Sequence, residues 1–269
     1  MQLPPLVIGQ HYHGDSILHL ADPRAKVVLS LLFAAALFAC RNFTGLALMA
    51  AGLLAGFTVA GVPIKLLVKG IKPVLFIMAV AVAVQAFFYG GELIATIGPF
   101  AIYREGLFSG ALIATRLLLL VLSGLLLTYT SSTVALADAF SRLLGPLAAL
   151  KLPVAEVALM MTIAVRFIPV LIIDFNRVLM AQSARGGAIG RGHPLKWARG
   201  LFPVLIPLLV ISFRHADNLA LAMEARGWRG TALRTQWRRP QFGGRDAAFC
   251  LVAVLFIAVG VIAGNIDLW

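Results

Sequence analysis

The amino-acid sequence predicts an all-α integral membrane protein of about five transmembrane helices, with a large region of amphipathic helices on the cytoplasmic side. Three observations predict it. Of the 269 residues, 61% are hydrophobic and only 13% charged, and the mean hydropathy of +0.94 is far above that of a soluble domain. Five stretches approach the roughly 20 apolar residues that a helix needs to cross a hydrocarbon core. The 23 Lys and Arg outnumber 11 Asp and Glu, for a formal net charge of +12, and the excess is gathered in particular segments.

The N-terminal MQLPPLVIGQHYHGDS lacks the basic stretch, apolar core and small-residue cleavage site of a signal peptide, so the mature chain is expected to start near Met1. His11, His13 and His19, with Asp15 and Asp22 nearby, have a spacing that matches no common metal site, and they read as an ordinary cytoplasmic arm. The first span is expected at Ala25–Cys40, and Arg41, Asn42 and Thr44 mark a tight turn into the second at Phe43–Val62. Arg24 and Lys26 before this hairpin, and Lys65, Lys69 and Lys72 in the loop after it, place both ends on the cytoplasmic side. The third span, Ile71–Tyr89, leads to GGELIATIGPFAIYRE, whose single basic residue marks an outside loop. The fourth, Gly106–Tyr129, returns the chain to the cytoplasm, and the last, Ala247–Leu268, carries the C-terminus outside.

Between them, the stretch from Thr130 to Arg245 holds 15 of the basic residues. It is still apolar but shows no clean span: Leu201–Phe213 is short and carries Pro203 and Pro207, and Pro153–Ile173 contains Glu156, Arg166 and Pro169. A charge at a helix centre costs at least ~2.5 kcal/mol on insertion scales, so amphipathic helices at or below the membrane surface are expected. Arg214, Asp217 and Asn218 fall at helical steps, rejoined by Glu224, with Phe213, Ala216, Leu219, Ala220 and Met223 on the other side. Asp174 and Arg177 form a weaker pattern of the same kind, and both helices are expected to turn a charged face to water.

Each of these apolar units ends in the same triplet: Ala184-Arg185-Gly186 and Ala225-Arg226-Gly227. A single Arg-Gly is adequately explained by helix termination, because glycine accepts the left-handed conformation past a helix end and arginine complements the negative end of the dipole. Two copies in one region point further, to a tandem of helices that each expose a guanidinium with five donors at the tip. Two similar tips suit a partner with two similar grooves.

On these residues the chain resembles the transmembrane T component of energy-coupling factor (ECF) transporters. The resemblance covers nearly the whole chain: GDSILHLADPRAKVVLSLLF with Asp22-Pro23-Arg24-x-Lys26, the segment from Thr115 through TRLLLLVLSGLLLTYTSSTVALADAFSRLLGPL, then MTIAVRFIPVLIIDFNRVLMAQSARGG and AMEARGWRG. It implies an energy-coupling subunit in which the two triplets bind grooves on a pair of ABC-type ATPase subunits. Coupling helices then pass ATP-driven closure to a substrate-binding S component for vitamins or transition-metal ions. The implied organisation is residues 1–129 as four spans, 130–245 as the coupling-helix region and 246–269 as the C-terminal span, in the plasma membrane with N-terminus in and C-terminus out.

The residues agree with this division of labour. No G-x-x-x-x-G-K-[ST] segment is present, so ATP and its Mg are expected on partner subunits, with no cofactor or metal in this chain. GGAIGRGHP reads as a connector between helices, not a nucleotide site. Cys40 and Cys250 read as small hydrophobes, and no Ser-His-Asp or Cys-His arrangement suggests a catalytic residue. Arg116, halfway along the fourth span, either faces the interior, satisfied by backbone carbonyls or an acidic neighbour, or serves an S-component interface. The competing readings are a self-sufficient secondary transporter using Arg116 and other polar groups as a substrate path, and a membrane anchor using RGWRGTALRTQWRR. Ordinary positive-inside charge already explains that segment, so no nucleic acid is expected as a partner, only membrane lipid and protein.

Overall fold

The structure, a computed structural model, describes residues 16–88, 90, 92–97, 100–145, 153–186, 194–228, 230 and 243–266. The chain divides into two compact units, one formed by Met1–Ala139 with Pro240–Trp269 and the other by Phe140–Arg239.

The first unit opens with a short turn, α1 (Ile17–Leu20), and α2 (Pro23–Ala39). Asp22 starts α2 by accepting the Arg24 N–H at 2.9 Å, with Pro23 at the first helical position, where its missing N–H costs nothing. After a two-residue turn, α3 (Phe43–Ala60) ends in Gly61 at φ 66°, whose N–H and that of Val62 close back onto Thr58 and Phe57. Next come α4 (Ile64–Phe88), a small antiparallel hairpin of β1 (Leu93–Ile97) and β2 (Phe100–Tyr103), and α5 (Arg104–Thr130). Arg104 N–H donates to the Glu92 carbonyl at 2.9 Å, tying the hairpin to the start of α5. The unit is completed by α9 (Gly244–Asn265), where the Asp246 carboxylate accepts the Gly243 N–H at 3.1 Å.

Two glycine pairs set the packing. Gly260 and Gly264 on α9 face Gly45, Met49 and Cys40, and Gly106 and Gly110 on α5 face Val82, Gln85 and Ala86 on α4. A Cβ at Gly45 would lie 2.5 Å from Gly264 Cα, and one at Gly106 2.5 Å from the Gln85 carbonyl oxygen. Within lipid, where burial gives helices little reason to associate, such small-residue seams allow the backbone contact that holds them. Around them Leu37, Cys40, Leu46, Met49, Leu53 and Phe57 form the buried core.

Lys26 and Arg116 bind α2 and α5 reciprocally. The Lys26 ammonium donates to the carbonyl of Thr130, the last residue of α5, at 3.0 Å, and also to His19 O and Ser131 Oγ. The Arg116 guanidinium of α5 donates to the carbonyl of Cys40, which caps α2, at 2.7 Å. Lys26 and Cys40 stand 14 residues apart, as do Arg116 and Thr130, so antiparallel helices in register place a cation on each other's negative end.

In the second unit, α7 (Val154–Ala184) and α8 (Pro194–Ala225) pack on each other; α6 (Thr133–Leu143) joins the two units. Three expectations need correction. The lysine-rich segment before the third span is helical: α4 starts at Ile64, and Lys65, Lys69 and Lys72 form one exposed stripe on it. The loop expected to lie outside contains the β-hairpin. The stretch expected to show no clean span forms unbroken helices of 31 and 32 residues that run through Pro169, Pro203 and Pro207. A helix passes a proline at the loss of one hydrogen bond and some bending. Among the described residues six helices are long and apolar enough to cross a membrane: α3, α4, α5, α7, the Leu201–Ala225 part of α8, and α9. The expected first span, α2, is shorter at 17 residues.

Candidate functional site

Ala184 is the last helical residue of α7 and Ala225 of α8, so the two triplets occupy the same three positions of a helix end. Gly186 and Gly227 follow with φ of 82° and 73°. In α8 the Gly227 N–H donates to the Glu224 carbonyl at 2.9 Å and the Trp228 N–H to Met223 at 3.0 Å, the two bonds of a Schellman ending. In α7 the Gly186 N–H donates to Ser183 at 3.1 Å, the matching inner bond. A Cβ on either glycine would meet nothing within 4 Å. Glycine is therefore required there for the left-handed backbone and not for room. Both Arg185 and Arg226 are exposed, and among the described residues neither forms an ion pair.

Below the tips, the charged face expected on α8 is present: Arg214, Asp217, Asn218 and Glu224 are exposed. Phe213, on the expected apolar side, is 69% exposed and is available to lipid or protein. The expectation for Asp174 is overturned. It does not face water but is buried against α8, where its Oδ2 lies 2.8 Å from His215 Nε2. Arg177 reaches the other carboxylate oxygen at 3.6 Å from an exposed position, and the Phe167 ring flanks His215 with centroids 6.0 Å apart. His215 was not singled out from sequence, and with Asp174 it forms a part-buried polar link between the two triplet-bearing helices.

Other candidates are committed to structural roles. Arg116 faces the interior and holds the Cys40 carbonyl, with Phe38 under its guanidinium at 5.7 Å. A groove of about 450 Å³ in the first unit is lined by apolar groups such as Leu29, Phe33, Leu53, Phe249 and Phe256; Lys26 at its edge is saturated by three acceptors. Neither offers the polar path that a self-sufficient transporter would need. His19 Nδ1 pairs with the Ser16 hydroxyl at 2.7 Å and Asp22 caps α2, while His11, His13 and Asp15 lie outside the described residues. So do most of GGAIGRGHP and of the segment from Arg229 to Arg239.

An all-α, multi-pass membrane protein whose matched polar features, among the described residues, are two helix tips is the class that fold and site define. Comparison with known proteins makes it specific. Residues 14–237 match the family described as cobalt transport protein, CbiQ. The chain is 40% identical over 254 residues to the energy-coupling factor transporter transmembrane protein EcfT of Ruminiclostridium cellulolyticum, covering 94% of each chain. It is 37% identical over 258 residues to the EcfT of Thermosediminibacter oceani, covering 96% of this chain and 95% of the relative. With the EcfT of Bacillus subtilis it shares 35% over 255 residues, 94% and 96% of the two chains. The chain belongs to the T-component family of energy-coupling factor transporters. It is a multi-pass protein of the plasma membrane and a transmembrane subunit of a transporter.

Proposed function

We propose that this chain transmits ATP-driven motion from two ABC-type ATPase subunits to a separate substrate-binding S component, and that Ala184-Arg185-Gly186 and Ala225-Arg226-Gly227 are the docking tips for the ATPases. The observation that carries this reading is the local identity of the tips: two long helices of one unit end in the same triplet with the same left-handed glycine and an exposed arginine. Two equivalent donors suit two equivalent acceptor grooves, as an ATPase homodimer or heterodimer supplies. ATP and Mg belong to those partners, and the S component selects a vitamin or a transition-metal ion. In this reading residues 130–245 form the coupling region, the N-terminus is cytoplasmic and the C-terminus outside.

The experiment is co-expression of the tagged chain with two candidate ABC-type ATPases, followed by purification in mild detergent. The wild type is expected to retain both ATPases and an Arg185→Glu/Arg226→Glu variant to lose them while still inserting in the membrane. Retention by the double variant would refute the tips as docking sites. Substrate uptake by this polypeptide alone in liposomes would refute the coupling role and support a secondary transporter.

A further inference from the structure

Asp174 precedes Arg185 by 11 residues, and His215 precedes Arg226 by 11 residues. At 1.5 Å per residue the Asp174–His215 contact is therefore ~16.5 Å along the helix from either tip, three full turns in each case. The two intervals, Asp174–Ala184 and His215–Ala225, contain neither proline nor glycine. Every proline of α7 and α8 lies on the other side of the contact: Pro169 before Asp174, and Pro194, Pro203 and Pro207 before His215. Each helix thus has a stiff arm between contact and tip and its helix-bending residues behind the contact.

A close charge-capable pair between helices whose carboxylate is buried, as Asp174 is, specifies register more sharply than apolar packing does, because a slip by one residue leaves that carboxylate without its histidine donor. The apolar seam here offers little competing specificity, since both helices leave large side chains such as Ile173, Met180, Leu209 and Phe213 exposed. We infer that Asp174 and His215 are positioning residues that lock α7 and α8 at a point equidistant from Arg185 and Arg226, so that both arginine tips are held at one separation for simultaneous docking. The functional half of this statement rests on the ATPase-docking reading above; the geometric half does not. With arms of equal length the tips cannot be further apart than roughly 33 Å plus the width between the helix axes.

The test is a pulsed electron–electron resonance measurement on the full chain in liposomes, with nitroxides at Ser183→Cys and Glu224→Cys, each two residues before its arginine, in a Cys40→Ala/Cys250→Ala background. The wild-type arms are expected to give one narrow distance distribution. The Asp174→Ala/His215→Ala variant removes both partners, so no lone buried charge confuses the result, and its distribution is expected to broaden. Asp174→Asn keeps an acceptor and is expected to stay narrow; the exchange Asp174→His/His215→Asp is expected to restore the wild-type peak, with exposed Arg177 free to turn away. In parallel, capture of the ATPase pair should fall about tenfold in the double alanine variant and recover in the exchange, as expected when only a fraction of molecules holds a docking-competent separation. A double alanine variant with wild-type distances and capture, or an exchange variant that stays broad, overturns the inference. Failure of the wild type itself to capture ATPases overturns the docking reading while leaving the distance result to judge the lock.

Discussion

Replacing Gly227 separates two reasons for glycine at a docking tip. Its φ of 73° lies in the left-handed region, and a side chain there would touch nothing within 4 Å of this chain. Alanine therefore costs only the backbone strain of an L-residue in that conformation, ~1–2 kcal/mol. The end is exposed, so the chain need not bear this strain: the bonds from Gly227 to Glu224 and from Trp228 to Met223 open and water replaces them. Overall stability then stays close to wild type and the tip frays. If docking requires the closed tip, binding must restore it, and affinity for the ATPase pair falls about 5- to 30-fold for Gly227→Ala. Gly227→Asn should lose less, because asparagine tolerates the left-handed region, and Gly227→Val more. The same order is expected at Gly186, and effects at the two tips should multiply, since the sites share no contacts. The assay is a binding titration of the detergent-solubilised chain against purified ATPases, with circular dichroism to confirm unchanged helix content. Wild-type affinity for Gly227→Val would refute the requirement for a closed tip. Equal losses for asparagine and valine would show that a Cβ collides with the partner and that backbone conformation is not the issue.

The glycine seams predict opposite outcomes for the same chemical change. Gly45→Ala brings a methyl to 2.5 Å from Gly264 Cα and should destabilise by about 1–3 kcal/mol through overpacking; Gly124→Ala in α5, which meets nothing, should stabilise by about 0.5–1 kcal/mol. Denaturant titration in micelles reads both, and equal signs would refute the close approach of α3 and α9. Arg116→Met removes the bond to Cys40 O and is expected to lower stability by roughly 1–3 kcal/mol, with partial recovery in Arg116→Lys; a neutral Arg116→Met would show the bond to be dispensable. For topology, a cysteine at Ser183 or Glu224 should react with an impermeant maleimide only from the cytoplasmic face, and one at Asn265 only from outside. Labelling of Ser183→Cys from outside would put α7 across the bilayer.

Sequence periodicity and loop charge made α2, α3, α5 and α9 legible, because lipid-crossing helices depend on apolar length and their flanking charges. The triplets were legible as helix ends for the same local reason, since Ala-Arg-Gly carries its own capping chemistry. What escaped was non-local. The start of α4 at Ile64 was hidden because three lysines look like a loop until their spacing of four and three is placed on a helix. The lengths of α7 and α8 were hidden by three prolines and scattered charges, which local rules score as breaks. The seams at Gly45, Gly260 and Gly264 show only a small-residue spacing within α9, and nothing in the chain pairs it with α3. Asp174 was assigned to water because a carboxylate on an apolar helix defaults to the surface; its partner His215 lies 41 residues away. The signal that could have joined them was present, namely the shared 11-residue interval to each arginine.

The exchange of cations between α2 and α5 bears on how the protein is made. Lys26 is synthesised 104 residues before its acceptor Thr130, and the Cys40 carbonyl 76 residues before its donor Arg116. When the α2–α3 hairpin leaves the translocon, the Lys26 ammonium at one end of α2 and the Cys40 carbonyl at the other still lack their α5 partners. Only the arrival of α5, complete and in register, settles both ends at once. A chain truncated before Thr130 thus has a first helix without the Lys26–Thr130 bond that the finished chain makes.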